Sequence, residues 1–162
     1  MEMTLPLPAK RPTIAEAWMT MSRLPGGRRL FSKLIGTMAP YTGSIPFTVL
    51  EASVGHSVVE LRDTKKVRNH LNSVHAIALM NLGEVSTGVA MMFGIDGRGR
   101  GIITHLEMDY VAKARGTIRA ECDATVPDSI GSHDCEVEAV LKDEASRIVA
   151  VARAVWRVQI DR

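Results

Sequence analysis

From Phe47 onward apolar and polar residues mostly alternate with a period of two, and one twenty-residue stretch in the middle does not alternate at all. Phe47 to Val54 and Ser57 to Asp63 read as paired strands around Gly55-His56, a combination that closes hairpins. Ile102 to Ala112 supplies another strand. Ile118, Ala120, Cys122, Ala124 and Val126 then alternate with Thr117, Arg119, Glu121, Asp123 and Thr125, and the runs Cys135 to Leu141 and Ile148 to Val158 repeat the pattern. Turns are predicted at Arg115-Gly116, across Pro127 to Gly131, and at Asp143 to Ser146. Ahead of Phe47 the period is helical, in Ile14 to Arg23 and, after the Pro25-Gly26-Gly27 break, in Arg28 to Met38. The second piece is amphipathic. Leu30, Phe31, Leu34, Ile35 and Met38 share one face, opposite Arg28, Arg29, Ser32 and Lys33, and packing on a sheet accounts for it better than a peripheral membrane contact does.

The non-alternating stretch, Val74 to Phe93, is apolar nearly all round, as a buried helix is. Its length would span a membrane, but Glu84 stands at its centre with Asn81, Ser86 and Thr87 nearby, so membrane insertion is not expected. The order is helices, two strands, one long apolar helix, then four strands. An antiparallel sheet wrapped around the helix satisfies it, an α+β architecture with an N-terminal helical extension over 1–45 and the main domain over 46–162.

Composition narrows the function. The chain has 162 residues, enough for one domain with a real core, and a net charge of +2 with acids and bases interspersed, which gives no nucleic-acid footprint. Cys122 and Cys135 lie in alternating strands without ligand spacing, so they read as buried hydrophobes; no metal and no cofactor are expected. Glu2 and the prolines at 6, 8 and 12 are followed by no leader-like apolar run, so a reducing cytoplasm is expected.

The chemistry centres on Glu84. A carboxylate withdrawn from water costs several kcal/mol or has its pKa raised, so one kept in an apolar helix has a partner or a reaction behind it. Hydrolysis of a thioester needs a polarised carbonyl and either an activated water or a carboxylate nucleophile. The start of the same helix offers unpaired N–H groups, and the Ala76 amide is the candidate donor. Eight residues separate Ala76 from Glu84. At the helical rise that is about 12 Å, too far for both to reach one atom.

Three features together resemble the hotdog-fold acyl-CoA thioesterases, in particular the subgroup of the phenylacetate-pathway enzymes. Asn69 lies fifteen residues and His75 nine residues before Glu84; the phrase from Asp109 to Gly116 followed by Thr-Ile-Arg-Ala is similar to a strand turn of that family; and the β-β-α-β-β-β-β order is the same. The resemblance implies the hotdog fold. It also implies a homodimer, or a dimer of dimers, in which the helix start of one subunit meets the carboxylate of the other. Glu84 would then be base or nucleophile, Asn69 would orient water or the carbonyl, His75 would bind substrate or hold the loop, and Thr87 would help to place the water. Lys113, Arg115 and Gly116 would meet the phosphates of an acyl-CoA or carrier-bound thioester, with Arg98 and Arg100 of the Gly97 to Gly101 run as a further contact. Two departures stand out: His75-Ala76-Ile77 replaces the family's His-Gly-Gly, and Glu84 replaces its Asp. Two other readings stay open. One is a non-catalytic acyl-CoA-binding or regulatory protein; the other is a hydratase or dehydratase, because His70 lies fourteen residues before Glu84.

Overall fold

The computed structural model describes residues 12–162. Two helices open the described chain, α1 (Ile14–Met21) and α2 (Gly27–Met38), followed by a 3-10 turn (Thr42–Ser44), the hairpin β1 (Phe47–Ser53) and β2 (His56–Leu61), and a second 3-10 turn (Lys65–Val67). The long helix α3 (Ala76–Ile95) comes next, and then β3 (Gly99–Tyr110), β4 (Ile118–Asp123), β5 (Gly131–Lys142) and β6 (Ile148–Ile160). The strands form one antiparallel sheet in the order β1-β2-β4-β5-β6-β3. α3 carries the chain from β2 to β3 at the far edge. This is the hotdog arrangement.

The alternation sorts side chains between two faces. Val59, Ile118, Ala120, Ala139, Leu141, Ala152, Ala154, Trp156 and Val158 turn inward and are buried, while Asp134, Glu138, Arg153 and Arg157 stand on the outer face in ion pairs. Fourteen of the twenty residues of α3 are buried, which is why the helix needs no polar stripe. Its few polar groups are paired. Ser86 Oγ donates to Ala120 O at 3.4 Å, and Ser57 Oγ donates to Ser86 O at 2.8 Å, pinning helix to sheet. The helix approaches the sheet tightly at Gly83, where a Cβ would lie 2.5 Å from Ala152 Cβ. On the other side Trp18 of α1, Phe31 of α2 and Phe93 of α3 form a cluster of edge-on rings with centroids 5.0 to 6.5 Å apart.

The structure departs from the sequence reading at several points. The apolar face of α2 is narrower than its pattern predicts: Phe31 is buried and Ile35 packs on the core, but Leu30 is 58% and Met38 68% exposed. Most of the glycine run after α3 is strand. Gly99 to Gly101 belong to β3, and a Cβ on Gly99 would meet Gln159 O at 1.9 Å, so this glycine serves the close approach of β6. Asp96 instead accepts from the Ile14 and Ala15 amides at 3.1 Å, capping α1, and Arg98 donates to Gly94 O at 2.6 Å at the end of α3. β5 begins at Gly131 rather than Cys135 because Ser132, His133 and Asp134 are held in register by β6. Residues 1–11, which include Glu2 and two of the prolines, lie outside the described chain.

Gly83 supplies a test of this packing. Overfilling a tight contact costs roughly 1–3 kcal/mol, so Gly83→Ala should lower the unfolding midpoint by several degrees in a thermal melt. A melting curve indistinguishable from wild type would show that α3 does not sit against Ala152 and Met108 as closely as described.

Candidate active site

Helix α3 leaves one stripe partly open, Met80, Glu84, Gly88 and Met92, each four residues from the last and so along one side of the helix. Glu84 is the polar member. Its Oε2 accepts a hydrogen bond from Thr42 Oγ1 at 3.2 Å, and one turn earlier Asn81 Nδ2 donates to Thr42 O at 3.3 Å. Thr42 is thus held by α3 at both side chain and backbone. Burial pushes the Glu84 carboxyl above its ordinary range, and the Thr42 hydroxyl offsets only part of that rise. A carboxylate in this state is a stronger base than a solvated one.

The start of α3 forms a second group. His75 is the N-cap, its Nδ1 accepting from the Ile77 amide at 3.1 Å, so its ring holds the helix end and leaves Nε2 outward. Among the described residues no acceptor pairs with the Ala76 amide, as is usual for the first amide of a helix. Asn69 braces the preceding loop: its Oδ1 accepts from the Leu71 and Ser73 amides at 2.9 and 3.2 Å and from Ser73 Oγ at 3.2 Å. Its Nδ2 is left to donate. The Val74 amide donates to Ala114 O at 2.8 Å, which ties the loop to the β3–β4 connection. Asn69, Ala76 and Lys113 consequently line one cleft of about 330 Å³ with Tyr110, whose hydroxyl donates to Ala76 O at 2.9 Å.

The other predicted residues fall outside these two groups. Thr87 is fully buried; its hydroxyl donates to Glu84 O at 3.1 Å and accepts from Trp156 Nε1 at 3.2 Å, so it faces the sheet and not the Glu84 carboxylate. Arg115 and His70 are exposed. Gly116 has φ of +71° and donates its amide to Asp63 Oδ2 at 3.0 Å, a turn that favours glycine. Partial burial works against ionisation of Asp63, yet hydrogen bonds from Arg68 and the Gly116 amide hold its carboxyl below the usual range. Arg98 and Arg100 lie 3.6 and 3.9 Å from Asp128 and Asp161. Among the described residues no group of three or more His, Cys, Asp or Glu side chains could hold a metal ion.

Sequence reasoning missed Thr42 and Tyr110. Tyr110 stands inside the Asp109–Gly116 phrase, where an aromatic at a strand end was the available signal. Thr42 had none, because its contact with Glu84 crosses 42 residues of chain.

Residues 27–158 match the model of a family described as a domain of unknown function, DUF4442. The chain belongs to this family. No curated protein matches this DUF4442 chain in sequence. Its fold is shared with solved structures. A crystal structure described as genomics APC5556 is 29% identical with a TM-score of 0.76, covering 91% of this chain and 97% of that one. PA5026 from Pseudomonas aeruginosa, a protein of unknown function described as a probable thioesterase, is 20% identical with a TM-score of 0.68, covering 85% and 97%. The protein smu.793 from Streptococcus mutans UA159, solved bound to acetyl-CoA, is 16% identical with a TM-score of 0.61, covering 72% and 90%.

The raised carboxyl of Glu84 makes stability depend on pH. Above the ordinary value of 4.5 and below the raised one, the native state keeps a proton that the unfolded chain has released. The contribution of Glu84 is therefore full below pH 4.5 and is lost as pH rises through its folded pKa. Glu84→Gln should withstand more urea than wild type at about pH 8, with the gap closing as the solution is acidified. A wild type more stable than the variant at the higher pH would mean that Glu84 is well paired and not desolvated.

Proposed function

We propose that this chain is an acyl-CoA thioesterase in which Glu84 is the general base or nucleophile and the Ala76 amide of a second subunit holds the thioester oxygen. The observation that carries the reading is the half-buried carboxylate, basic by desolvation, on an otherwise uncharged helix. Its support from outside the chain is the shared fold of a probable thioesterase and of a protein solved with acetyl-CoA.

In this scheme Glu84 takes a proton from water as its oxygen attacks the carbonyl carbon, or attacks that carbon itself; the oxyanion leans on the Ala76 amide and the helix dipole. Collapse expels the thiolate, which takes up the proton; on the base route this leaves the carboxylic acid directly, and on the nucleophile route an acyl–Glu84 anhydride that a water then hydrolyses to the acid and free Glu84. Asn69 Nδ2 and His75 Nε2 face the substrate as donors near the helix start, Tyr110 stiffens that start, and Lys113 with Arg115 meets carrier phosphates. Because one helix keeps its own Ala76 and Glu84 about 12 Å apart, two antiparallel copies of α3 make a complete site. Two features support a homodimer: the open stripe of α3, and the edge of β3, which runs twelve residues and pairs only with β6 among the described residues.

Glu84→Ala should cut hydrolysis of acyl-CoA substrates by about 10²–10⁴, roughly 3–5 kcal/mol of barrier, in a free-thiol assay with the fold preserved by circular dichroism. Turnover equal to wild type on every accepted substrate would remove Glu84 from the reaction, whereas acyl-CoA binding with no turnover in either protein would favour a non-catalytic binder. Analytical ultracentrifugation should show a dimer or tetramer at micromolar concentration. A stable monomer that still hydrolyses thioesters would rule out the two-subunit site.

A further inference from the structure

Between α2 and the first hairpin lies a cleft of about 820 Å³, the largest of the five described, and neither the sequence reading nor the site above uses it. Arg29 and Lys33 reach its lining from α2, and Arg62 and Lys66 from the segment after β2. No carboxylate lines it. Among the described residues Arg29, Lys33 and Lys66 form no ion pair, and the one acid paired with Arg62 is Glu60, at 3.7 Å, itself held by Arg119 at 3.1 Å, while the adjacent Asp63 is held by Arg68. Four cations in one concavity are a large share of the charge of a chain whose net charge is only +2. Like charges so gathered repel one another, and an anion relieves that repulsion. Helix stability does not explain them, for Arg28 and Arg29 occupy the first turn of α2, where the macrodipole disfavours cations.

The floor of the cleft is apolar, with Ile45 and Phe47 among its residues, so it suits a ligand with both an anionic and an apolar part. Its end wall is shaped by two glycines: a Cβ on Gly43 would lie 2.7 Å from Gly36 O, so the backbone of the 3-10 turn presses directly on α2. Gly43 and Ser44 of this turn line the cleft, while the neighbouring Thr42 donates to Glu84. One three-residue turn separates the basic cleft from the candidate carboxylate.

We infer that this cleft binds the phosphate-ester end of the thioester's carrier, with Arg29, Lys33, Arg62 and Lys66 as the phosphate-holding residues. The inference rests on the thioesterase reading. Coenzyme A carries a pyrophosphate and a separate 3′-phosphate, more charge than Lys113 and Arg115 neutralise, and the cleft supplies a second anchor on the Glu84-bearing subunit.

The test uses the full chain and the paired substitution Lys33→Gln with Lys66→Gln, both exposed and outside the core. Titration calorimetry with coenzyme A at low ionic strength should show binding weakened about tenfold or more, while pantetheine, which lacks the phosphates, binds both proteins alike. Acyl-CoA hydrolysis should show KM raised by a similar factor and kcat within about twofold, because phosphate contacts are alike in ground and transition states. Unchanged coenzyme A affinity and KM would overturn the cleft while leaving the thioesterase reading intact. Loss of coenzyme A affinity in a protein that hydrolyses no thioester would uphold the cleft and sink that reading. Vesicles containing anionic phospholipid separate the remaining source of phosphate: binding to them that needs Lys33 and Lys66, with no cleft-dependent binding of coenzyme A, would overturn the assignment to the carrier.

Discussion

Helix α3 has no polar face, and nearly everything else in the molecule follows from the need to cover it. The sheet takes one side, close enough at Gly83 that no Cβ fits between helix and strand, and the Trp18–Phe31–Phe93 cluster seals another. Polar groups on the covered sides are consumed inside the protomer: Ser86 by β2 and β4, Thr87 by Trp156. What is left is a narrow strip in which Glu84 is the one charge. Its raised carboxyl is thus a consequence of covering the helix, and the Thr42 hydroxyl offsets part of that rise.

Much of the fold could be read from the period of the pattern. A sheet buried on one face has to alternate, and the strands from Phe47 to Val158 do so, with limits off by a few residues where cross-strand pairing overrides composition. Ser132, His133 and Asp134 fall between the predicted turn and the predicted strand, and they are strand because β6 holds them. The Gly97–Gly101 run shows the opposite failure. Glycine reads as flexibility in a sequence, but here Gly99 and Gly101 serve close contact with Gln159 of β6 and Met92 of α3, a requirement set by the folded packing. On α2 the pattern gave the apolar residues but not their order of burial, since which of Leu30 and Phe31 faces the core depends on where Trp18 and Phe93 sit.

The candidate site divides along the same line. Glu84 was legible because one charge in an apolar helix violates a local rule, and the Ala76 amide because helices always begin with unpaired donors. Asn69 and His75 were legible as positions, and the structure shows the local work of each: one braces a loop, the other caps a helix. Thr42 was not legible. A hydroxyl in a turn-like segment carries no mark of the carboxylate it will meet after the chain has folded back.

A straight helix is also a ruler. With α3 rigidly packed, Ala76 and Glu84 keep their spacing through any motion of the surrounding loops, so within one protomer the two candidate groups stay apart. Under the proposed pairing, each copy lends its amide to one reaction centre and its carboxylate to the other, and symmetry then makes both centres complete at once. The residues that tune the halves differ accordingly. Tyr110, Asn69 and Lys113 belong to the helix start, whereas Thr42 and the α2 segment belong to the carboxylate. The N-terminal helices therefore sit on the Glu84 side, and the turn that follows them places one hydroxyl 3.2 Å from that carboxylate.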